Sequence, residues 1–327
     1  MKFCSTEGSK SVGAIRNERL MIKICEMYYL LNLSQKEISV QLGISRPQIS
    51  RILTQARENG CVEIRIRNPY SDESALEQKL MARYGLKDAL VVRSMGESRD
   101  ERMNQFSKEA AAYFDSYLGI DQTIGVMSGV TVASIVRHMK NNGKRVKEAI
   151  PLVGGIGNER AELHANAIAL RLAQQYGGVS CVMNAPILVS SEEAATILRQ
   201  EPSISTVLEK GRHCDVSLVG IGNVELSSTT AKAGGLTRED IQLLKESGAV
   251  SSVCNSYFDA EGQSVRVLER RCVGERLEEL RRGKVIACAI GHSKAEAIRS
   301  ALKSGRLDVL MTDFDTATEI LNEKEDM

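Results

Sequence analysis

From residue 88 onward, short apolar segments alternate with amphipathic ones, and this alternation constrains the fold more than any other feature of the sequence. Strand-length segments separated by helices of about 10 to 15 residues predict βα units, in which parallel strands form a sheet. We therefore expect an α/β domain with a doubly covered, mainly parallel sheet. The predicted strands cover residues 89–92, 123–127, 149–153, 180–185, 216–219, 249–252, 265–267, 285–290 and 309–312, with a turn-rich segment at 257–262.

The first seventy residues instead show a helical spacing of apolar side chains and tight polar turns. Ser34 and Glu37 match a capping box, which starts a helix, and Gly43 can end that helix in a left-handed turn. A further helix is predicted from Ser45, followed by a strand over residues 61–67. Three short helices, a glycine turn and a final strand are typical of a winged or plain helix-turn-helix.

Turn-forming residues and changes of pattern divide the chain into four parts. We expect a flexible tail over residues 1–13, the helix-turn-helix over 14–68, a linker helix over 69–87 and the α/β domain over 88–327. No stretch approaches the ~18 apolar residues of a membrane-spanning helix, and the N-terminal residues lack the apolar core of a secretory signal. We therefore expect a cytoplasmic protein with no membrane partner, whose eight cysteines are reduced.

Side chains at the start of the third predicted helix have the chemistry of a major-groove reader. The second helix of a helix-turn-helix presents its N-terminal residues to base edges, where Arg pairs with guanine and Gln with adenine. The first seventy residues carry eleven Lys/Arg against six Asp/Glu, which favours a polyanionic partner. A helical protein-interaction module is the alternative. The candidate DNA-binding residues are Ser34, Gln35, Ser45, Arg46, Gln48, Ser50, Arg51 and Arg57.

Four predicted strands of the α/β domain end in glycine-rich turns. Ligands of an open α/β sheet bind beyond the carboxyl ends of the strands, and glycine lets backbone N–H groups approach an oxyanion. Ser128 and Thr131 add hydroxyl groups at a helix N-terminus. Lys294 opposes the dipole of another helix unless an anion lies between them. The sequence therefore predicts a phosphate site, although the glycines, above all Gly154 and Gly155, can also serve only to tighten turns.

Three further polar side chains are candidates for contacts to ligand hydroxyl groups: His164, Asn166 and Asp259. A lone histidine is equally compatible with a structural role, and Asp-x-x-Gly is also an ordinary turn sequence. Asp313 and Asp315 are most simply explained as caps of the last helix. The full set of candidate effector-binding residues is Ser128, Gly129, Thr131, Gly154, Gly155, His164, Asn166, Gly220, Ile221, Gly222, Asp259 and Lys294.

Two sets of motifs occur together in this sequence. The first is the segment Ser45-Arg46-Pro47-Gln48-Ile49-Ser50-Arg51-Ile52-Leu53, and the second comprises the segments 125–131, 151–155, 164–166, 218–222, 257–262, 291–298 and 310–313. Their combination, over roughly residues 15–323, resembles the SorC-type family of bacterial sugar-responsive transcription regulators.

The resemblance implies an N-terminal helix-turn-helix and an effector domain related in fold to sugar-phosphate isomerases. It implies double-stranded operator DNA and a small phosphorylated sugar as partners, no cofactor or metal, and a homo-oligomer, commonly a tetramer. By motif position, the phosphate would contact Ser128, Gly129, Thr131 and Lys294, and the rest of the ligand would face His164 and Asp259.

Two functions fit these patterns: a ligand-controlled transcription factor, and a sugar-phosphate isomerase with an appended helical domain. Isomerisation needs a positioned general base, and the sequence shows no acid/base pair at a fixed spacing. An isomerase would also have no use for Arg46 and Gln48. We therefore predict a regulator of a carbohydrate-utilisation operon and not an enzyme. Val153 stands where some family members carry a basic residue, so one anion contact and a lysine Schiff base at that position are excluded.

Overall fold

The computed structural model describes residues 12–64, 67–141, 143–157, 160–233, 235–280 and 283–322. The chain separates into two compact units, Met1–Pro69 and Tyr70–Met327. Residues 1–11 of the expected tail lie outside the described residues, and the first helix already begins at Val12. Within the described ranges, no helix has the length and apolar character needed to cross a bilayer.

The first unit is built from three helices around a small apolar core. The helices are α1 (Val12–Cys25, continued by a π-helical turn over Glu26–Leu30), α2 (Gln35–Leu42) and α3 (Arg46–Glu58). Each helix contributes side chains to the core, which contains Ile24, Cys25, Met27, Ile38, Ile49, Leu53 and Ala56.

Both ends of α2 have the predicted chemistry. The Oγ of Ser34 accepts a hydrogen bond from the backbone N–H of Glu37, and the Glu37 carboxylate accepts one from the N–H of Ser34. Gly43 ends α2 at φ +65°, a left-handed conformation that favours glycine. This turn places α2 and α3 in the helix-turn-helix arrangement.

The strand predicted over residues 61–67 does not form in the part that the structure describes. Residues 61–64 and 67 have turn or irregular backbone, and residues 65 and 66 lie outside the described residues. A strand is stable only beside another strand, and the described residues of this unit provide none.

The second unit contains a parallel sheet of seven strands, in the spatial order β1-β10-β9-β5-β2-β3-β4. A second, antiparallel sheet has the order β6-β7-β8. The larger sheet confirms the predicted α/β fold. The strands are β1 (Asp88–Val92), β2 (Gln122–Val126), β3 (Val146–Pro151), β4 (Val179–Ser180), β5 (Val216–Gly220), β6 (Gly222–Asn223), β7 (Ser251–Val253), β8 (Ser256–Phe258), β9 (Lys284–Cys288) and β10 (Val309–Asp313).

Helices pack against the larger sheet in two series: α5, α6 and α7 contact one another in turn, and so do α4, α13 and α12. Two such series are expected for a parallel sheet that is covered on both faces. Leu80 of α4, in the predicted linker, is buried in the core of this unit. The helices are α4 (Ser71–Tyr84), α5 (Arg99–Tyr117), α6 (Val130–His138), α7 (Ala165–Tyr176), α8 (Glu192–Gln200), α9 (Pro202–Arg212), α10 (Thr229–Lys232), α11 (Arg238–Glu246), α12 (Ala295–Lys303) and α13 (Phe314–Leu321).

Two strand predictions and one turn prediction were wrong in detail. The strand expected over 180–185 pairs only as Val179–Ser180, because the backbone of Met183 is hydrogen-bonded by the Asn166 side chain instead of by a strand. Residues 265–267 form no strand. The segment expected to turn at 257–262 begins inside β8, where the buried Phe258 pairs with β7, so strand pairing and burial override the local turn composition.

The strand order reverses between β2 and β5. From β2 the chain proceeds through β3 to the edge at β4, whereas from β5 it proceeds through β9 to β10, towards the other edge. In an open α/β sheet, such a reversal leaves a crevice at the carboxyl ends of the two strands. The fold therefore places a binding crevice beside the ends of β2 and β5.

Candidate functional site

A cleft of about 210 Å³ occupies the predicted crevice. It is lined by the turn after β2, the end of β5 and the turn after β9. Seven of the twelve predicted effector residues meet in this cleft: Ser128, Gly129, Thr131, Gly220, Ile221, Gly222 and Lys294.

The turn after β2 provides hydroxyl groups and backbone donors. Gly129 has φ +143°, a conformation that side-chain-bearing residues rarely adopt, and its N–H is already donated to the carbonyl of Leu163. The backbone donors at the cleft are instead the N–H groups of the first turn of α6, at Val130 and Thr131, which have no intrahelical acceptor. Ser128 and Thr131 are both buried. This turn can therefore bind an anion.

Lys294 provides a positive charge in the same cleft. It ends a 3-10 turn, His292–Lys294, immediately before α12, and not within the first turn of that helix as predicted. Its Nζ donates a hydrogen bond of 3.0 Å to the carbonyl of Ile221. Desolvation lowers the pKa of Lys294, and Arg99 lowers it further. No described carboxylate forms an ion pair with this ammonium, so the cleft holds a partly buried, uncompensated charge.

The cleft is also lined by two cations that sequence reasoning missed, Arg99 and Lys232. Arg99 is the first residue of α5, and Lys232 is the last residue of α10. Neither residue follows a strand in a glycine turn, which is the pattern that marks the other cleft residues. Arg99 had a usable signal, since a basic residue at a helix N-terminus opposes the helix dipole, as Lys294 does. Glu225 is the one carboxylate that lines the cleft within the described ranges, and it accepts a hydrogen bond from Ser227.

Gly154 and Gly155 do not line this cleft. The N–H of Gly154 donates to Val273, and that of Gly155 donates to Ala185. A Cβ on Gly154 would lie 2.5 Å from the backbone oxygen of Pro186. Close backbone packing therefore accounts for Gly154, whereas a side chain on Gly155 would meet only ordinary contacts. Neither N–H group is free for a ligand.

The three polar candidates also lie outside the lining of the cleft. His164 precedes α7 and is half-buried near Gly155. Asn166 donates to the carbonyl of Met183 at 3.0 Å and accepts from its N–H at 2.8 Å. Asp259 accepts from the N–H groups that shape its own turn, which belong to Glu261 and Gln263. The hydrogen bonds of Asn166 and Asp259 thus have structural roles.

Of the two aspartates predicted to cap the last helix, Asp313 does so. Asp313 is the N-cap of α13, where its carboxylate accepts a hydrogen bond from the N–H of Thr316, and it also accepts one from Gly291. Gly291 is therefore not a free backbone donor for a ligand. Asp315 lies in the first turn of the same helix.

In the first unit, α3 presents a polar face to solvent. Its apolar side is buried, while Gln48 Oε1 accepts hydrogen bonds from both the N–H and the Oγ of Ser45, which caps the helix. Within the described residues, the guanidinium groups of Arg46 and Arg51 form no hydrogen bond or ion pair. Ser34 and Gln35 lie at the start of α2, and the exposed candidates on or before α3 are Ser45, Arg46, Gln48, Ser50, Arg51 and Arg57.

Comparison with known proteins relates both units to transcription regulators. Residues 68–322 match the family described as "Putative sugar-binding domain". The chain is 30% identical over 326 residues to the transcriptional regulator LsrR of Klebsiella pneumoniae, covering 97% of each chain. It is 28% identical over 308 residues to the deoxyribonucleoside regulator of Bacillus subtilis, covering 94% of this chain and 98% of the relative.

Solved structures give the same relationship. The crystal structure of the full-length sorbitol operon regulator SorC from Klebsiella pneumoniae has a TM-score of 0.70 at 27% identity, and the match covers 92% of this chain and 97% of that one. A DeoR family transcriptional regulator from Listeria monocytogenes has a TM-score of 0.71 at 31% identity, with 76% and 99% coverage.

Proposed function

Since the chain belongs to the SorC-type family of regulators with a sugar-binding domain, we propose that it is a DNA-binding transcriptional regulator of a carbohydrate-utilisation operon. In this proposal the first unit binds operator DNA, and the second binds a phosphorylated sugar or related metabolite that controls the regulator. The names of the relatives, which include a sorbitol operon regulator and a deoxyribonucleoside regulator, support the class of regulated process.

The observation that carries the effector proposal is that Lys294 and the first turn of α6 line one cleft. An ammonium without a carboxylate partner and a helix N-terminus both favour an anion between them. We assign the phosphate to Ser128, Gly129, Thr131 and Lys294, with the backbone of residues 220–222 as the neighbouring wall. The sugar hydroxyl groups would point away from the residues that hold the phosphate.

The DNA proposal rests on the exposed polar face of α3. Arg46 and Gln48 would face base edges, and Arg57 would contact a phosphate. One small helical unit binds a single half-site weakly, so we infer a homo-oligomer, with a tetramer as the family's common form. Effector binding would favour one arrangement of subunits, with a coupling free energy of ~1–3 kcal/mol.

The composition of the cleft favours a regulator over an isomerase. Its described lining contains one carboxylate, Glu225, and no histidine. A general acid/base pair for proton transfer beside a sugar carbonyl is not formed by these groups. Turnover of a common sugar phosphate by the purified protein would reverse this preference.

A thermal-shift screen of the full chain tests the proposal. Ligands that bind only the folded state raise the melting temperature, so each phosphorylated sugar is compared with the same sugar without its phosphate. We expect stabilisation by at least one phosphorylated compound and none by its free counterpart. Equal stabilisation by both forms would refute the phosphate site, and an effector that leaves operator binding unchanged would refute the regulatory role.

A further inference from the structure

A second chamber of about 720 Å³ lies beside the cleft. The two cavities share one wall, formed by Arg99, Ile290, Ser293 and Lys294. Two positive side chains, one from the start of α5 and one from the turn after β9, therefore border both cavities. An anion held near this wall would interact with both charges.

Most of the other charged groups around the second chamber are engaged within the protein. Arg93 pairs with Glu73 at 2.7 Å and lies over the ring of Phe314, while Arg102 donates to the carbonyls of Gly96 and Glu97. These contacts hold Arg93, in the loop that follows β1, and Arg102, in the first turns of α5, within the protein.

Arg99 differs from these neighbours. It is exposed, and within the part of the chain that the structure describes it forms no hydrogen bond or ion pair. The carboxylates bordering the two cavities are Glu225, Asp313 and Asp315, and none of them pairs with Arg99 or Lys294 among the described residues. Arg99 can therefore approach a ligand without breaking an internal contact.

We infer that Arg99 is a second cation of the anion site and that, together with Lys294, it selects a doubly charged group such as a phosphate monoester over a singly charged or neutral one. The inference rests on the proposed function of the cleft and adds a specificity-determining residue to it. Two like charges on one wall repel each other while the site is empty, and a dianion offsets both, whereas a monoanion can offset only one. The effect of Arg99 in lowering the pKa of Lys294 is consistent with this proximity.

The test compares methyl phosphate, a dianion above pH 7, with dimethyl phosphate, a monoanion of similar shape, in calorimetric titrations at constant ionic strength and pH 8. We expect Arg99→Gln to weaken methyl phosphate binding by about fivefold to tenfold, and to change the weaker binding of dimethyl phosphate by less than about twofold. Arg171→Gln, which removes an exposed arginine from α7, is the matched control and should alter neither affinity.

The variants separate this inference from the proposal on which it rests. If wild-type protein binds neither probe, or if Lys294→Gln leaves methyl phosphate binding intact, the proposed phosphate site is wrong. If Lys294→Gln abolishes binding while Arg99→Gln has no effect, only the role of Arg99 is overturned. An equal loss in Arg171→Gln would show a long-range effect of net charge and would also overturn it. Because Arg99 has no described internal contact and is repelled by Lys294 in the empty site, the melting temperature of Arg99→Gln without ligand should not fall below that of wild type.

Discussion

The ammonium of Lys294 donates to the backbone carbonyl of Ile221 at 3.0 Å, and this hydrogen bond links the turn after β9 to the end of β5. An ammonium has three N–H donors, so two remain for a ligand. Lys294, Ser128 and the first turn of α6 line the same cleft. Lys294 therefore has both a structural contact and the capacity to bind an anion.

We expect Lys294→Ala to abolish the response to a phosphorylated sugar and to leave operator binding in its absence unchanged. The measurement is an operator-binding titration with and without the sugar phosphate. Lys303→Ala is the control, because Lys303 also donates from Nζ to a backbone carbonyl, that of Ala260 at 3.1 Å, but lies outside the cleft. A normal dose–response in Lys294→Ala would contradict the phosphate role.

Arg46→Ala should weaken operator binding by about 1–3 kcal/mol, because a bidentate contact to a base edge is lost. Effector affinity, measured by calorimetry, should stay at the wild-type value, since Arg46 belongs to the first unit. Arg171→Ala in the second unit provides a control for the loss of one positive charge. An unaltered footprint on the operator would show that the start of α3 does not read bases.

Operator affinity should fall steeply as salt rises, because each phosphate contact releases about one counterion. Arg57→Ala should reduce the magnitude of the slope of log K against log[salt] by about one. It should weaken binding to specific and to non-specific DNA by equal factors. Fluorescence anisotropy between low and moderate salt measures both quantities. A flat wild-type curve would contradict the electrostatic argument from the basic first unit.

The features that sequence reasoning predicted correctly are set by local chemistry. The capping box of Ser34 and Glu37 lies within one helical turn, and Gly43 needs only its own backbone conformation. The cleft could also be anticipated, because the carboxyl ends of parallel strands share one edge of the sheet. Ser128 and Lys294 follow such strand ends and meet as expected.

The features that it misassigned depend on partners distant in the sequence. Gly154 was a candidate for an oxyanion contact, but the backbone of Pro186 approaches too closely for any side chain. Asn166 was a candidate for a ligand hydroxyl group, but its amide is bound to Met183. Arg99 reaches the cleft from the first position of α5. Its place at a helix N-terminus is a local signal of an unusual arginine, but it does not show which strand ends Arg99 will meet.

The side chain of Asn166 provides a direct test of this reassignment. Asn166→Ala should lower the free energy of unfolding by about 1–3 kcal/mol, because both hydrogen bonds to the backbone of Met183 are lost. Asn166→Asp keeps the acceptor for the Met183 N–H but places a carboxylate oxygen against the Met183 carbonyl oxygen, so it should also lower stability. Urea unfolding measures the change. If Asn166→Ala has wild-type stability but loses effector binding, the side chain is a ligand contact after all.

Glu275 should make stability depend on pH. Its carboxyl is 1% exposed and accepts a hydrogen bond of 3.1 Å from Arg212. Burial, and then the nearby Glu279 carboxylate, raise the pKa of Glu275 to about 8 against the opposing effect of Arg212. A carboxyl whose pKa is higher in the folded protein than in the unfolded chain, where it is about 4.3, stabilises the fold at low pH and loses that contribution as the pH rises to about 8.

Glu275→Gln, which is neutral throughout, should therefore remove this part of the decline, so that the stability of the variant relative to wild type increases from pH 5 to pH 8.5. Urea unfolding at the two pH values measures the change, with the exposed Glu296→Gln as control. The same decline in wild type and Glu275→Gln would show that another group is responsible.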